Sequence, residues 1–203
     1  VGARMLAERH LETYMEICEL LKARLLRFVT DADGYEPSPQ TITSILSAVE
    51  PELKKRNIVL GIENHDRLGA KALASIMESI GSAHVGICLD TANSFGAGEG
   101  IEYVVDLLAP YTVNLHVKDF NVTRLPYKMG FTIAGSRLGE GLLDIPGLMG
   151  TLLQYTRCET AIFEQWVPPE PHHEDSVRKE KEWANAGITY LKELDWFQNN
   201  VTI

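Results

Sequence analysis

The stretch IVLGIENHDRL, at positions 58–68, decides the fold of this chain. It begins with an apolar run, and Glu63 follows that run directly, ahead of the polar residues Asn64 and His65. Parallel strands that are buried on both faces have apolar runs of this kind. An acidic residue at the carboxyl end of such a strand stands where α/β folds place their ligands. The stretch therefore predicts a strand over residues 58–63 that ends in a functional carboxylate.

Three later stretches repeat this pattern: VGICLD ends at Asp90, TVNLHVKD carries His116, and TAIFEQW carries Glu164. The segments between the apolar runs show the three-and-four spacing of apolar residues and the capping residues that are typical of helices. The predicted helices span 3–25, 40–56, 71–80, 101–108, 145–155 and 175–194, and the predicted strands span 25–29, 58–63, 85–90, 112–118 and 161–165. Alternation of this kind indicates an α/β fold with a parallel sheet and right-handed crossovers. The pattern predicts five strands, a chain that opens on a helix, and a long loop over residues 121–142.

Composition narrows the class of protein. The composition, with 45% hydrophobic and 23% charged residues, is ordinary for a globular protein. A chain of 203 residues is long enough to bury one good hydrophobic core. The net charge of −9 argues against binding to a nucleic-acid backbone or to an anionic membrane. No apolar run is long enough to span a bilayer, and three widely spaced cysteines do not form a disulfide framework. We therefore expect a cytoplasmic protein.

The side chains at the four strand ends form a consistent set of metal ligands: Glu63, Asp90, His116 and Glu164. Carboxylate and imidazole groups bind Mn²⁺, Mg²⁺, Co²⁺ or Zn²⁺. Three carboxylates, one imidazole and no thiolate favour an oxygen-preferring ion such as Mn²⁺. A polar residue at one strand end is common, but four of compatible type in series predict a metal site.

The segments that carry these residues resemble a known family. IENH, LDTANSFGAGEG, NLHVKDF, GEGLLDIPGL and IFEQW are similar to segments of the xylose isomerase-like (β/α)₈ TIM barrel family of sugar isomerases and epimerases. The resemblance covers nearly the whole chain. It implies that Glu63, Asp90, His116 and Glu164 hold a divalent metal at the ends of consecutive barrel strands.

Two departures from the family pattern stand out. Many ketose 3-epimerases of this family have His three residues after the aspartate, whereas this chain has Asn93. A full barrel has eight strands and typically about 250 residues, more than this chain contains. We therefore expect residues 1–203 to form a single domain that corresponds to the C-terminal portion of a barrel and lacks its first three βα units.

The resemblance also implies a reaction and a substrate class. It predicts a metal-dependent isomerase or epimerase that removes a proton next to a carbonyl through an enediolate, with Glu63 and Glu164 as the acid/base pair. The predicted substrate is a small sugar or sugar-derived molecule, and the resemblance allows a homo-oligomer. The residues predicted to contact substrate are Asn93, Lys118, Arg124 and His65.

Three other functions fit the same motifs. An inosose-type dehydratase shares the proton abstraction, and product analysis separates it from an isomerase. A metal-dependent endonuclease for abasic DNA shares the fold, but it needs more metal ligands and a basic groove, which the charge of −9 disfavours. The third is a non-catalytic binding or structural protein on a truncated barrel, which a metal titration without binding would favour.

Overall fold

The computed structural model describes residues 1–194, which form a six-stranded sheet with helices between the strands. The strands are β1 (Gly2–Arg4), β2 (Leu25–Val29), β3 (Val59–Glu63), β4 (Val85–Asp90), β5 (Thr112–Val117) and β8 (Thr160–Phe163), adjacent in that order. The registers of β1 to β4 are parallel. All residues of β4 and β5 are buried, as expected for strands covered on both faces. The predicted α/β architecture is confirmed.

Helices follow the strands where the sequence predicts them. They are α1 (Glu8–Leu21), α2 (Pro39–Lys55), α3 (Ala70–Ile80), α4 (Ile101–Leu108), α5 (Ile145–Leu153) and α6 (His173–Glu193). The Ser38 hydroxyl accepts a hydrogen bond from the Thr41 N–H at 3.1 Å, which caps the start of α2. Gly81 ends α3 with a φ of 60°, in the left-handed region that glycine tolerates best.

The predicted start of the chain is wrong. Residues Gly2–Arg4 form β1 instead of a helix, and α1 begins only at Glu8. The chain therefore opens on a strand, and the sheet has six strands instead of five. A three-residue strand is too short to show an alternating pattern. Its conformation depends on pairing with β2, where Gly2 is the partner of Arg27 and Arg4 is the partner of Val29.

The predicted loop over residues 121–142 is also wrong as far as Gly135. It contains an antiparallel hairpin of β6 (Phe120–Arg124) and β7 (Phe131–Gly135). Large apolar residues on the hairpin, including Phe131 and Ile133, are exposed, so its sequence lacks the alternation of a strand with one buried face. Cross-strand hydrogen bonding instead forms the hairpin, and Lys128 and Gly130 turn the chain with positive φ angles.

The described residues fall into two compact units. Unit 1 comprises Val1–Leu115 and Tyr155–Thr160, and unit 2 comprises His116–Gln154 and the chain from Ala161 on. A single domain over residues 1–203 remains a prediction. Within residues 1–194, none of the helices combines the length and the apolar character that crossing a bilayer requires.

Candidate active site

Glu63 is the last residue of β3 and lies in unit 1, with 4% of its surface exposed. Its Oε1 accepts a hydrogen bond of 2.8 Å from the Asn93 side-chain amide. Its Oε2 forms an ion pair with the Nε of Arg27, which lies on β2. The two partners fix the orientation of a carboxylate that is costly to bury without them.

Asp90 ends β4 and is fully buried. Its Oδ1 accepts hydrogen bonds of 2.9 Å from the backbone N–H groups of Ala92 and Asn93. These bonds begin the short 3₁₀ helix Asn93–Ala97 and direct the Asn93 side chain to Glu63. The structure thus brings Asn93, a predicted substrate contact, against a predicted metal ligand. Its role towards substrate remains a prediction.

Asn64 was not among the predicted site residues, but it holds the ends of two strands together. Its side chain is fully buried and bonds both backbone groups of Asp90: the Asp90 N–H donates to Asn64 Oδ1 at 2.6 Å, and the Asn64 amide donates to the Asp90 carbonyl at 2.9 Å. The same amide donates to the Ser94 hydroxyl at 2.9 Å. Asn64 therefore joins the end of β3 to the end of β4. A polar residue directly after a buried strand was the signal in the sequence.

Replacing Asn64 with alanine should lower the free energy of unfolding by about 2–3 kcal/mol, because a buried N–H and a buried C=O of Asp90 lose their partner. Denaturant unfolding of the two proteins measures the difference. Asn121→Ala is the matched control, since exposed Asn121 makes one side-chain bond, to Ser136. Equal losses in the two variants would contradict the role given to Asn64.

Three further predicted residues come together in unit 2. His116 on β5 is 5% exposed, and its Nδ1 lies 2.9 Å from Oε2 of Glu164, the residue that follows β8. Lys118 Nζ lies 3.2 Å from the other carboxylate oxygen of Glu164. The hydrogen bond with His116 and the nearby Lys118 ammonium lower the pKa of Glu164 to about 2, against the opposing effect of burial. Glu164 is therefore a carboxylate at neutral pH.

The other two predicted substrate contacts have local partners. His65 is half-buried, and its Nδ1 contacts the Asp66 carboxylate. Arg124 is exposed at the end of β6 and donates to the Lys128 carbonyl at 3.0 Å. Its guanidinium carbon also lies 5.1 Å from the centre of the Phe131 ring. These contacts leave the predicted substrate roles of His65 and Arg124 untested.

Asp119, two residues after the end of β5, organises a loop of unit 2. Its side chain is 2% exposed and accepts hydrogen bonds from four backbone N–H groups. The donors are Phe120 at 2.8 Å, Gly139 at 2.9 Å, Gly141 at 3.0 Å and Leu143 at 3.1 Å. The turn LGEG, at residues 138–141, has no regular secondary structure. The Asp119 carboxylate therefore accepts the N–H groups of this turn that a helix or sheet would otherwise pair with backbone carbonyls.

As donor types, the four predicted ligands suit a divalent ion. They offer three carboxylates and an imidazole, which are ligands of Mg²⁺, Mn²⁺ and Zn²⁺. Each carboxylate is also oriented by a donor of its own unit: Asn93 for Glu63, backbone N–H groups for Asp90, and Lys118 for Glu164. Hydrogen bonds of this kind are typical of carboxylates that bind metals.

Comparison with solved structures identifies the fold. A xylose isomerase domain protein from Planctomyces limnophilus superposes with a TM-score of 0.63 at 13% identity, over 92% of this chain and 64% of that one. A xylose isomerase-like TIM barrel protein from Mycobacterium smegmatis, in complex with magnesium, gives 0.65 at 10% identity, over 91% and 67%. D-psicose 3-epimerase in the presence of D-fructose gives 0.66 at 13% identity, over 91% and 69%. At these identities the likeness concerns the fold alone.

Comparison of sequences identifies the family. A curated relative, 3-oxo-isoapionate decarboxylase of Pectobacterium atrosepticum, is 34% identical over 191 residues, which are 94% of this chain and 70% of the relative. The sequence profile of the xylose isomerase-like TIM barrel family matches residues 4–194. The chain belongs to the xylose isomerase-like TIM barrel family.

Proposed function

We propose that this chain carries the site of a metal-dependent decarboxylase that acts on a small, sugar-derived 3-oxo acid. The observation that carries the proposal is the 34% identity, over 94% of the chain, to a 3-oxo-isoapionate decarboxylase. In a 3-oxo acid the carbonyl lies β to the carboxylate. Breaking the bond to the carboxylate then leaves the electron pair in conjugation with the carbonyl, as an enolate.

The proposed metal ligands are Glu63, Asp90, His116 and Glu164, with Mn²⁺ as the preferred ion. A divalent ion in this set supplies Lewis-acid polarisation of the substrate carbonyl. The structural relative from Mycobacterium smegmatis is in complex with magnesium, which supports a divalent ion without choosing between metals.

Lys118 is the proposed proton donor. Once carbon dioxide has left, the carbanionic carbon of the enolate must take up one proton. Glu164 is unsuited to supply it, because its pKa of about 2 leaves it ionised. The Lys118 ammonium, which Glu164 holds at 3.2 Å, carries a proton and is replenished from solvent. Asn93 keeps Glu63 in place through its 2.8 Å hydrogen bond.

A sugar isomerase or epimerase is the second candidate, because Glu63 and Glu164 are both carboxylates at strand ends and form an acid/base pair in that reaction. We place this candidate second because of the contacts that Glu63 makes. Its two oxygens are engaged by Asn93 and Arg27, which weakens it as a base towards a carbon-bound proton. Decarboxylation needs no such base. Asn93, Lys118, Arg124 and His65 remain the proposed substrate contacts in either reaction.

One experiment separates the two reactions. The chain with Mn²⁺ should release carbon dioxide from 3-oxo-isoapionate, lose this activity on treatment with EDTA, and regain it when Mn²⁺ is restored. A parallel sample with D-fructose in D₂O should incorporate no deuterium at carbon. Deuterium incorporation without release of carbon dioxide would reject the decarboxylase and favour the epimerase. Cytoplasmic location, homo-oligomerisation and the absence of nucleic-acid and membrane partners remain predictions.

A further inference from the structure

Arg27 lies on β2, on the same face of the sheet as Glu63. Its register partner on β3 is Gly61, two residues before Glu63, and side chains two residues apart on a strand point to the same face. Its partner on β1 is Gly2, and the partner of Gly61 on β4 is Gly86. Arg27 is thus the one side chain in a row that glycines otherwise occupy on β1 to β4.

The glycines leave room for a long side chain on this face. A Cβ atom added to Gly2 would lie 3.6 Å from Cδ of Arg27, so the arginine stem extends over Gly2. Its guanidinium then reaches Glu63 through Nε. The side chain keeps 27% of its surface exposed, although its Nε is buried against Glu63.

The head of Arg27 presents a second binding edge. A guanidinium carries five N–H donors in a planar fork, and Nε is the nitrogen that lies closest to Glu63. Among residues 1–194, Nη1 and Nη2 have no hydrogen-bond partner. A pair of parallel N–H groups on an ionised, partly exposed side chain fits the two oxygens of a carboxylate.

We propose that Arg27 is a specificity-determining residue that binds the carboxylate of the substrate through Nη1 and Nη2. The inference rests on the proposed function for the identity of the substrate, a sugar-derived oxo acid, and on the Arg27 contacts for the subsite. If Arg27 binds a carboxylate, the site on this face of the sheet should bind sugar acids more tightly than the corresponding neutral sugars.

Charge supports this assignment. Glu63 and Asp90 end neighbouring strands of unit 1, and two carboxylates repel an anionic substrate. The guanidinium that pairs with Glu63 offsets this repulsion. A bidentate grip also holds the carboxylate in one place, which restricts rotation about the bond between carbons 2 and 3, and this torsion decides whether the breaking bond aligns with the carbonyl π system.

Binding of two matched probes tests the subsite without turnover. D-erythronate is a four-carbon sugar acid that cannot decarboxylate as a 3-oxo acid, and erythritol is its neutral counterpart. Calorimetric titration of the full chain, with and without Mn²⁺, should show erythronate binding at least about tenfold more tightly than erythritol. Arg27→Gln should abolish the preference, and Arg27→Lys, which keeps the charge without the fork, should restore part of it.

The readouts distinguish the possible results. Titration of Mn²⁺ should show equal or tighter metal binding in Arg27→Gln, because a cation next to Glu63 has been removed. If Arg27→Gln loses Mn²⁺ binding, Arg27 only positions Glu63, and the subsite is rejected. Undiminished preference for erythronate in Arg27→Gln, or no preference in the unmodified chain, rejects it as well. Preference that depends on Arg27 without release of carbon dioxide from 3-oxo-isoapionate would uphold the subsite and reject the decarboxylase.

Discussion

Replacing Asp119 with asparagine is expected to lower the free energy of unfolding by about 3–4 kcal/mol. The Asp119 carboxylate is buried, and each of its oxygens accepts two backbone N–H groups. In asparagine, one of these oxygens becomes an NH₂ group that faces two N–H donors. The substitution therefore removes the charge from all four hydrogen bonds and leaves two buried donors without an acceptor.

Asp144→Asn is the matched control for this change. Asp144 caps α5 by accepting one hydrogen bond of 3.1 Å from Gly147 N–H, and it is exposed. Asparagine caps helices about as well as aspartate, so this variant should stay within about 0.5 kcal/mol of the unmodified chain. Denaturant unfolding measures both variants, and limited proteolysis should cut the loop over residues 136–144 faster in Asp119→Asn alone. A loss below about 1 kcal/mol would mean that other contacts hold this loop.

The central strands of the parallel sheet could be predicted because β4 and β5 are buried along their whole length. VGICLD is free of charged residues up to its last residue, Asp90, and the predicted strand Val85–Asp90 is the observed β4. The run LLRFV, which is apolar except for Arg27, gives β2 as predicted, although Leu25 and Arg27 are only half-buried. In such strands, burial determines the composition directly, so the pattern in the sequence reports the structure.

The wrong predictions concern elements that depend on a partner. The strand Gly2–Arg4 has one buried residue, Ala3, and no periodicity of its own. The hairpin of β6 and β7 exposes Val122, Phe131 and Ile133, so it has no face that burial marks in the sequence. Both are held by backbone pairing to another segment, which the local sequence does not encode.

The candidate site was predicted only in part, for a related reason. Residue type and strand-end position pointed to Glu63, Asp90, His116 and Glu164, whose roles as ligands remain predictions. Asn64 and Asp119 bind backbone N–H and C=O groups of residues that are distant in sequence. Arg27 lies next to Glu63 because it is the register partner of Gly61, two residues before Glu63. Residue type alone does not reveal such contacts, because any buried asparagine, aspartate or arginine needs partners of some kind.

Replacing Lys118 with methionine should lower kcat for decarboxylation by about 10²–10⁴-fold, the usual contribution of a positioned proton donor. Methionine retains much of the length and the apolar stem of lysine and removes the ammonium that lies 3.2 Å from Glu164. The matched control is Lys179→Met, which removes another lysine of unit 2 paired with a glutamate, Glu170. Lys179 has no part in the proposed reaction, so its variant should keep the rate of the unmodified chain.

The face on which carbon is protonated distinguishes a proton donor from a residue that only supports Glu164. In D₂O, delivery from Lys118 places deuterium on one face of the product carbon, and NMR of the product after derivatisation with a chiral reagent measures the ratio of the two faces. Lys118→Met should give both faces, since water then protonates the enolate without direction. A slower variant that still labels one face would show that Lys118 acts through its ion pair with Glu164 and that another group donates the proton.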